Sequence, residues 1–334
     1  MKMRKLGGSG IDVSEISIGC WTFGGGDYWG VQSQEDVNLV VDKSLESGIN
    51  LFDTAEGYNA GESEISLGKA LAGKRDRAVV LTKLNPNSDH EKLNERFEAC
   101  LKRLGTDYVD ILMVHWPSED HKITEYTLRT FENLQKAGKV RAIGISNYGV
   151  SQMAEIKASG VKVCVNELPY NIISRAIEKD ILPACIDSNI GVITYSTLQQ
   201  GILTGKYKTA GEVPFNQAHT RHFQDFRGKG TSRHGEDGAE EELFELLDEL
   251  QKICDDMNVS MAELTLAWVL HQKGITSTIV GSRNLKQLEY NMKAAELKLD
   301  EDLVGKLGSL SNKVLDKLGY SADYYQNRNN SRIK

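Results

Sequence analysis

In LFDTAEGY (51–58) the apolar pair Leu51-Phe52 delivers a carboxylate, Asp53, and five residues later a phenol, Tyr58. Lys83 closes the apolar run AVVLTK (78–83), and His115 closes YVDILMVH (108–115). A charged group at the end of such a run is costly unless it is paired or solvated. Asp53 and Lys83 end neighbouring runs, so they can pair. A phenol with a pKa of about 10 is a poor acid at neutral pH, and a nearby ammonium lowers that value. Lys83, held by Asp53, is therefore the expected perturber of Tyr58, and His115 is placed to orient a carbonyl oxygen or share its proton. Such a set protonates an oxygen as hydride reaches the adjacent carbon, which is carbonyl reduction. Gly57 is expected to allow the turn that brings the phenol back over the site.

These residues need a scaffold that brings strand ends together. Eight short runs rich in Val, Ile and Leu are spaced along the chain: 15–20, 49–54, 78–83, 108–115, 140–146, 161–166, 191–196 and 277–282. They show little polar alternation, as expected of strands covered on both faces. Segments of helical spacing lie between them. SQEDVNLVVDKSLESG opens on Ser33 as N-cap, and others end on Gly105, Gly138 and Gly160. Strand–helix alternation through eight units predicts an α/β fold, a (β/α)8 TIM barrel, as one domain over residues 1–334. MRKLGGSGIDVSE predicts an N-terminal β-hairpin covering one end of the barrel, with extra loop and C-terminal helices. The Gly-rich stretch 208–238 is too long for a simple connection and is expected to act as a lid or binding loop. It leads into the acidic helix AEEELFELLDELQKICDDM, and the final YQNRNNSRIK is expected to fray.

Composition narrows the partners. The 334 residues are 40% hydrophobic and 26% charged, ordinary for a soluble protein, and the net charge of −7 argues against nucleic acid or an anionic membrane. No apolar stretch is long enough to span a bilayer, and the N-terminus lacks the apolar segment of a secretory signal. Five scattered cysteines (20, 100, 164, 185 and 254) have no C-x-x-C pair and read as buried small residues in a reducing compartment, so a cytoplasmic location is expected.

In a TIM barrel chemistry sits at the C-terminal strand ends. Here those ends carry Trp21, Asp53 with Tyr58, Lys83, His115-Trp116, Ser146-Asn147, Asn166-Glu167, Tyr195-Ser196 and Gly281-Ser282-Arg283. With these motifs the chain resembles the aldo-keto reductases nearly end to end, through LFDTAEGYNAGESE, VVLTK, ILMVHWP, GKVRAIGISNY, TYSTLQQGILTGKY and IVGSRNLKQLEYN. The resemblance implies Asp53, Tyr58, Lys83 and His115 as a catalytic tetrad with Tyr58 the general acid/base. It implies cofactor contacts at Ser146, Asn147, Glu167, Tyr195, Ser196, Leu198, Gly281, Ser282, Arg283, Gln287 and Asn291. Glu167 stands where the family commonly has Gln, and Tyr290 where many members have Glu. Gly281-Ser282-Arg283 at the start of the last barrel helix offers backbone donors, a hydroxyl and a guanidinium, a natural phosphate site, so NADP is expected, with NAD possible.

The expected activity is NADPH-dependent reduction of an aldehyde, ketone or sugar carbonyl. Its alternatives are NAD(P)-dependent oxidation of a polyol or sugar, or a non-enzymatic nucleotide-binding role resembling potassium-channel β subunits. GGGDYWG (24–30) lacks phosphate-loop spacing and reads as a pocket loop, so Trp21, Tyr28, Trp29 and Trp116 are the candidate substrate contacts. His219, His222 and His234 lack a recognised metal pattern, and no metal is expected. The neighbouring Arg221, Arg227, Lys229 and Arg233 are the candidates for a loop closing over cofactor or substrate. A monomer acting on a small molecule is the default.

Overall fold

The computed structural model describes all 334 residues. Two short strands, β1 (Met3–Lys5) and β2 (Asp12–Ser14), form an antiparallel hairpin. Eight parallel strands then close a barrel: β3 (Ile16–Gly19), β4 (Leu51–Asp53), β5 (Val79–Leu84), β6 (Val109–Val114), β7 (Val140–Ser146), β8 (Val165–Pro169), β9 (Gly191–Tyr195) and β10 (Ile275–Gly281). Each strand pairs with its chain neighbours, and β10 closes onto β3. The helices α1 (Gln34–Glu46), α2 (Glu62–Leu71), α3 (His90–Leu104), α4 (His121–Lys136), α5 (Val150–Ser159) and α6 (Ile181–Asp187) follow strands β3, β4, β5, β6, β7 and β8. After β9 come α7 (Glu240–Met257) and α8 (Met261–His271), and α9 (Leu285–Lys293) follows β10. Two further helices, α10 (Glu301–Leu310) and α11 (Asn312–Leu318), lie outside the repeat.

The helix boundaries obey local chemistry. Ser33 caps α1 by accepting from the Asp36 amide, Asp89 caps α3, and Gly105 closes α3 in the left-handed conformation. On α3, Leu93, Phe97, Cys100, Leu101 and Leu104 form the buried face.

The strands divide their side chains at period two. Phe52, Val80, Leu112, Val114, Ile143 and Ile145 pack outward with the helical layer, whereas Leu51, Val79, Leu81, Ile111, Met113 and Val165 fill the barrel. Leu6, Ile11 and Val13 of the hairpin join that interior set and plug its lower end, as expected. Each such fully buried aliphatic chain contributes roughly 1.5–3 kcal/mol. The same alternation carried one step further puts Asp53, Lys83, His115 and Glu167 on the inward stripe above the apolar layer.

Two expectations need correction. The sixth barrel strand starts at Val165, not 161, because its partner β9 begins at Gly191, opposite Val165. Glu167 therefore lies inside a strand that runs on to Pro169. Asn166 faces outward and donates to the Tyr148 carbonyl at 2.8 Å. The C-terminal segment does not fray: Tyr324 and Ile333 are buried, Arg332 pairs with Asp323 at 2.7 Å, and the Lys334 carbonyl accepts from Ser151 at the start of α5. No helix is long and apolar enough to cross a membrane.

Candidate active site

Four strand ends meet at Lys83. Its ammonium is fully buried and donates to Asp53, to the Thr54 carbonyl at 3.2 Å and to the Tyr58 hydroxyl at 3.2 Å. Glu167 Oε2 lies 3.4 Å away from the far side of the barrel. His115 meets the Tyr58 ring edge-on, with centroids 5.7 Å apart. The structure brings the side chains of Asp53, Tyr58, Lys83 and His115 together.

The phenol is delivered by the chain leaving β4. Residues 54–56 stay on the β5 edge through the Thr54 and Glu56 amides, which donate to the Leu81 and Lys83 carbonyls. Arg96 grips Glu56, and the Tyr58 amide closes a turn on the Ala55 carbonyl at 3.1 Å. Gly57 is not the hinge. Its backbone is right-handed (φ −85°, ψ −9°), and a side chain there would meet open space. The unusual conformation falls on Asn59 (φ 49°) and Ala60 (φ 53°). Asn59 is held there because its amide donates to the Trp21 and Phe23 carbonyls at 2.8 and 2.9 Å. Sequence reasoning missed Asn59; its signal is the tolerance of Asn for left-handed backbone just before Gly61.

Electrostatics sharpen the roles. Burial works against the Lys83 charge, but Asp53, Glu167 and Tyr58 together hold its pKa above the ordinary lysine value. Burial pushes the Asp53 carboxyl up against the pull of Lys83. Burial, then the Asp53 charge, push the Glu167 carboxyl up to about 8. Burial, then Lys83, lower the His115 imidazole to about 3, so it is neutral at pH 7. Tyr58 departs from expectation: burial outweighs the lowering by Lys83, and its phenol sits above its ordinary value. A half-buried phenolate beside two carboxyl groups is harder to form than the Lys83 contact alone suggests.

Around this cluster stand the residues assigned to a cofactor. Asn147 Oδ1 accepts from the Tyr195 hydroxyl at 2.7 Å, while its amide nitrogen donates to the His115 carbonyl and Ser146 Oγ. Asn147 (φ 69°) and Ser196 (φ 53°) are both left-handed, which aims this pair of strand ends over the mouth. Leu198 follows Ser196 and packs partly buried against the core. Ser282 is fully buried and accepts from Asn291 at 3.0 Å. Gln287 accepts from the Arg283 amide at 2.9 Å, and Asn284 caps α9. The Arg283 guanidinium donates to Gln32 Oε1 at 2.9 Å and to the Trp29 and Val31 carbonyls, fastening the loop after β3 to the start of α9. Tyr290 is exposed.

Three of the four aromatic candidates form one wall. Trp21 stacks on Tyr28 at 5.0 Å and lies 5.2 Å from Trp29 and 5.9 Å from Tyr58. The Tyr28 hydroxyl donates to Gln200 at 2.6 Å and reaches the Asn216 carbonyl, so the glycine-rich loop is tied to the long stretch after β9. Trp116 stands apart beneath the Arg332 guanidinium, 3.7 Å from its ring centre.

The basic side chains of 208–238 divide, with Arg221, His222 and His234 buried and Lys229 and Arg233 exposed. Arg221 is fully buried and bonds Glu236 at 2.9 Å and the Leu318 carbonyl at 2.5 Å. Arg227 clasps Glu240, and Lys229 lies 5.5 Å from the Phe215 ring. His222 stacks on Tyr324 and contacts Ser174 and the Ile173 carbonyl. His219 bonds the Asn216 carbonyl at 2.6 Å and stacks on Tyr325, while His234 is buried against Glu236. Arg233 bridges to Gln326 through its backbone. Most of these side chains anchor the stretch to the C-terminal segment and α7 instead of facing the mouth. All five cysteines are buried and unpaired.

The profile of the Aldo/keto reductase family matches residues 15–312. The chain is 32% identical over 326 residues to an NADH-specific methylglyoxal reductase of Escherichia coli, covering 90% of this chain and 95% of the relative. It is 29% identical over 330 residues to a putative voltage-gated potassium channel subunit beta of Schizosaccharomyces pombe, covering 92% and 93%. Its fold superposes on a glycerol dehydrogenase of Gluconobacter oxydans with a TM-score of 0.78 at 26% identity, covering 95% and 96%.

Proposed function

The chain belongs to the aldo/keto reductase family, and we propose that it reduces small aldehydes, ketones or sugar carbonyls with a nicotinamide dinucleotide, Tyr58 donating the proton. The observation that carries this reading is the buried contact of one ammonium, Lys83, with both Asp53 and the Tyr58 hydroxyl.

The arrangement fits a nicotinamide. Ser146, Asn147 and Glu167 offer hydroxyl, amide and carboxyl groups able to match a carboxamide, and the Tyr195 ring beside them offers a stacking face. Gly281, Ser282, Arg283, Gln287 and Asn291 would take the phosphates and adenosine at the start of α9, and Ser196 and Leu198 the diphosphate side. When bound, the reduced dinucleotide supplies a hydride. NADPH is the expected donor because Arg283 puts a cation at that end. NADH use is compatible too, in line with the E. coli relative.

The chain's own residues handle the oxygen. Neutral His115 can donate an N–H to the carbonyl oxygen, fixing the substrate beside Tyr58. As hydride reaches the carbon, the oxygen becomes an alkoxide, a much stronger base than a phenolate. Tyr58 therefore yields its proton downhill even with its pKa raised, and Lys83 at 3.2 Å stabilises the phenolate left behind. Asp53 acts through Lys83, keeping the ammonium charged and aimed. Trp21, Tyr28 and Trp29 would supply the apolar pocket wall, and Trp116, under Arg332, a separate aromatic surface. The reverse reaction uses the same groups, so oxidation of a polyol is the second reading; the likeness to a glycerol dehydrogenase favours it.

The whole chain, 1–334, is proposed to work as one barrel unit, a monomer in the cytoplasm; five free thiols suit a reducing compartment. NADPH oxidation should be followed with a panel of aldehydes, ketones and ketoses, and NADP+ reduction with the corresponding alcohols. Turnover of at least one class supports the enzyme. Tight NADPH binding with no turnover in either direction would instead support a non-enzymatic nucleotide-binding role, the reading that the similarity to a putative potassium channel subunit beta favours.

A further inference from the structure

Glu167, like Asp53, is a carboxyl group of the buried cluster that does not touch the reacting oxygen, and unlike Asp53 it has no part in the proton transfer as described so far. It projects from β8 into the barrel on the same inward stripe as Val165. Its side chain is 4% exposed, its Oε2 has no hydrogen-bond partner, and that atom lies 3.4 Å from Lys83 Nζ. Asp53 reaches Lys83 from β4, and Asp53 and Glu167 are within hydrogen-bonding reach of each other. Tyr58 faces the pair from the loop after β4, and Tyr195 from β9. Two buried carboxyl groups thus converge on one buried ammonium.

We propose that Glu167 is a fifth member of the cluster, a positioning residue whose proton keeps Lys83 on Tyr58 and whose ionisation draws Lys83 away. This rests on Tyr58 being the proton donor. Charge counting gives the reason. With Asp53 ionised, Lys83 charged and Glu167 protonated, the cluster is neutral. Losing the Glu167 proton leaves one unmatched negative charge out of water, which burial opposes strongly. Asp53 holds the closer contact to Lys83, so the shared proton resides on Glu167.

The two states differ at the phenol. Protonated Glu167 donates toward Asp53 and leaves Lys83 free to hold the Tyr58 oxygen. Ionised Glu167 competes for the same ammonium across 3.4 Å and sets a second negative charge near the phenolate that must form. Reduction is then slowed as pH rises above neutrality, well before Tyr58 itself ionises. A glutamine would fix the uncharged state at every pH.

The stability of the protein reads the same proton without any turnover. The Glu167 pKa is raised on folding from about 4.5 to about 8. The folded state therefore binds more protons across that window, and its stability is lost as pH rises from 4.5 to 8.

The test uses the full-length protein, Glu167→Gln and Glu167→Met. Thermal unfolding without cofactor is measured from pH 5 to 9, with an infrared titration of the protonated-carboxyl stretch. The kcat/KM for NADPH-dependent reduction of the best panel carbonyl is measured over the same pH range. Wild type should show a carboxyl band that fades toward pH 8–9, absent from both variants. Its Tm should fall with rising pH more steeply than theirs. The decline of kcat/KM above neutrality should move up by at least one pH unit in Glu167→Gln.

Identical pH dependence of Tm, with no carboxyl band lost on substitution, overturns the proposal. An unshifted kcat/KM limb in a folded Glu167→Gln overturns it too. If no carbonyl is reduced at all, the reading of Tyr58 as donor fails while the infrared and thermal data still decide whether Glu167 holds the proton. If Glu167→Gln does not fold, Glu167→Met and the wild-type infrared titration decide it.

Discussion

Replacing Lys83 by methionine tests the electrostatic core of the site. Lys83 Nζ lies 3.2 Å from the Tyr58 hydroxyl. At an effective dielectric of about 20, a unit charge at that distance stabilises the phenolate by about 5 kcal/mol. If about half of that is felt when the proton is half transferred, kcat falls roughly 10²-fold, the lower end of the 10²–10⁴ usual for a general acid. Removing the ammonium also leaves the Asp53 charge uncompensated in the interior, a loss of about 3–5 kcal/mol in stability. The double variant Asp53→Asn/Lys83→Met separates the two effects, because replacing both charges restores neutrality and recovers most of that stability. Steady-state reduction kinetics with NADPH and denaturant unfolding should be measured on both variants. The expected result is a double variant that folds nearly as well as wild type, binds NADPH and turns over at least 10²-fold more slowly. A folded double variant within tenfold of wild-type kcat refutes the role given to Lys83.

Gly57→Ala should change unfolding free energy by no more than about 0.5 kcal/mol, because the backbone is right-handed with open space beside it. Gly61→Ala (φ 94°, with Arg103 2.7 Å from the added Cβ) should be clearly destabilising in the same denaturant titration. Arg221→Ala breaks a fully buried guanidinium away from Glu236 and the Leu318 carbonyl; a loss of about 2–4 kcal/mol is expected by urea unfolding. His222 is buried with its pKa lowered to about 4, chiefly by burial, so the unfolded chain binds the extra proton first. Stability present above pH 6.5 is lost as pH falls toward 4, at up to about 1.4 kcal/mol per pH unit from this residue, and a His222→Gln variant should flatten that acid limb of Tm against pH. Arg283→Ala should weaken NADPH binding about tenfold more than NADH in fluorescence titration; equal losses would remove Arg283 from phosphate recognition.

The barrel and its four central residues were legible because charged groups ended apolar runs in a strand–helix alternation. Asp53, Lys83 and His115 each continue the inward stripe of their own strand, so strand order alone brought them together. The setting of Glu167 was not legible, because it depends on β8 starting at Val165, and that boundary is set by pairing with β9. The Tyr58 pKa was misjudged in sign for a related reason: a sequence names the ammonium beside a phenol but not the burial that opposes it. The basic residues of 208–238 were expected to belong to a loop closing over cofactor or substrate. The directions of Arg221 and Arg227 are decided by Glu236, Glu240 and the carbonyls of Leu318 and Ser321 at and just after the end of α11, none adjacent in sequence to Arg221. The conformation of Asn59 and Ala60 answers to the loop they hold, which local propensity alone credits to the neighbouring glycine.

The measurement bearing most directly on the central claim is the turnover of Tyr58→Phe with NADPH and the best carbonyl of the panel, alongside its affinity for NADPH. Removing a single hydroxyl should leave fold and cofactor binding within a few-fold of wild type and lower kcat by roughly 10²–10⁴. Retention of kcat within tenfold would contradict the account, since another group would then be supplying the proton.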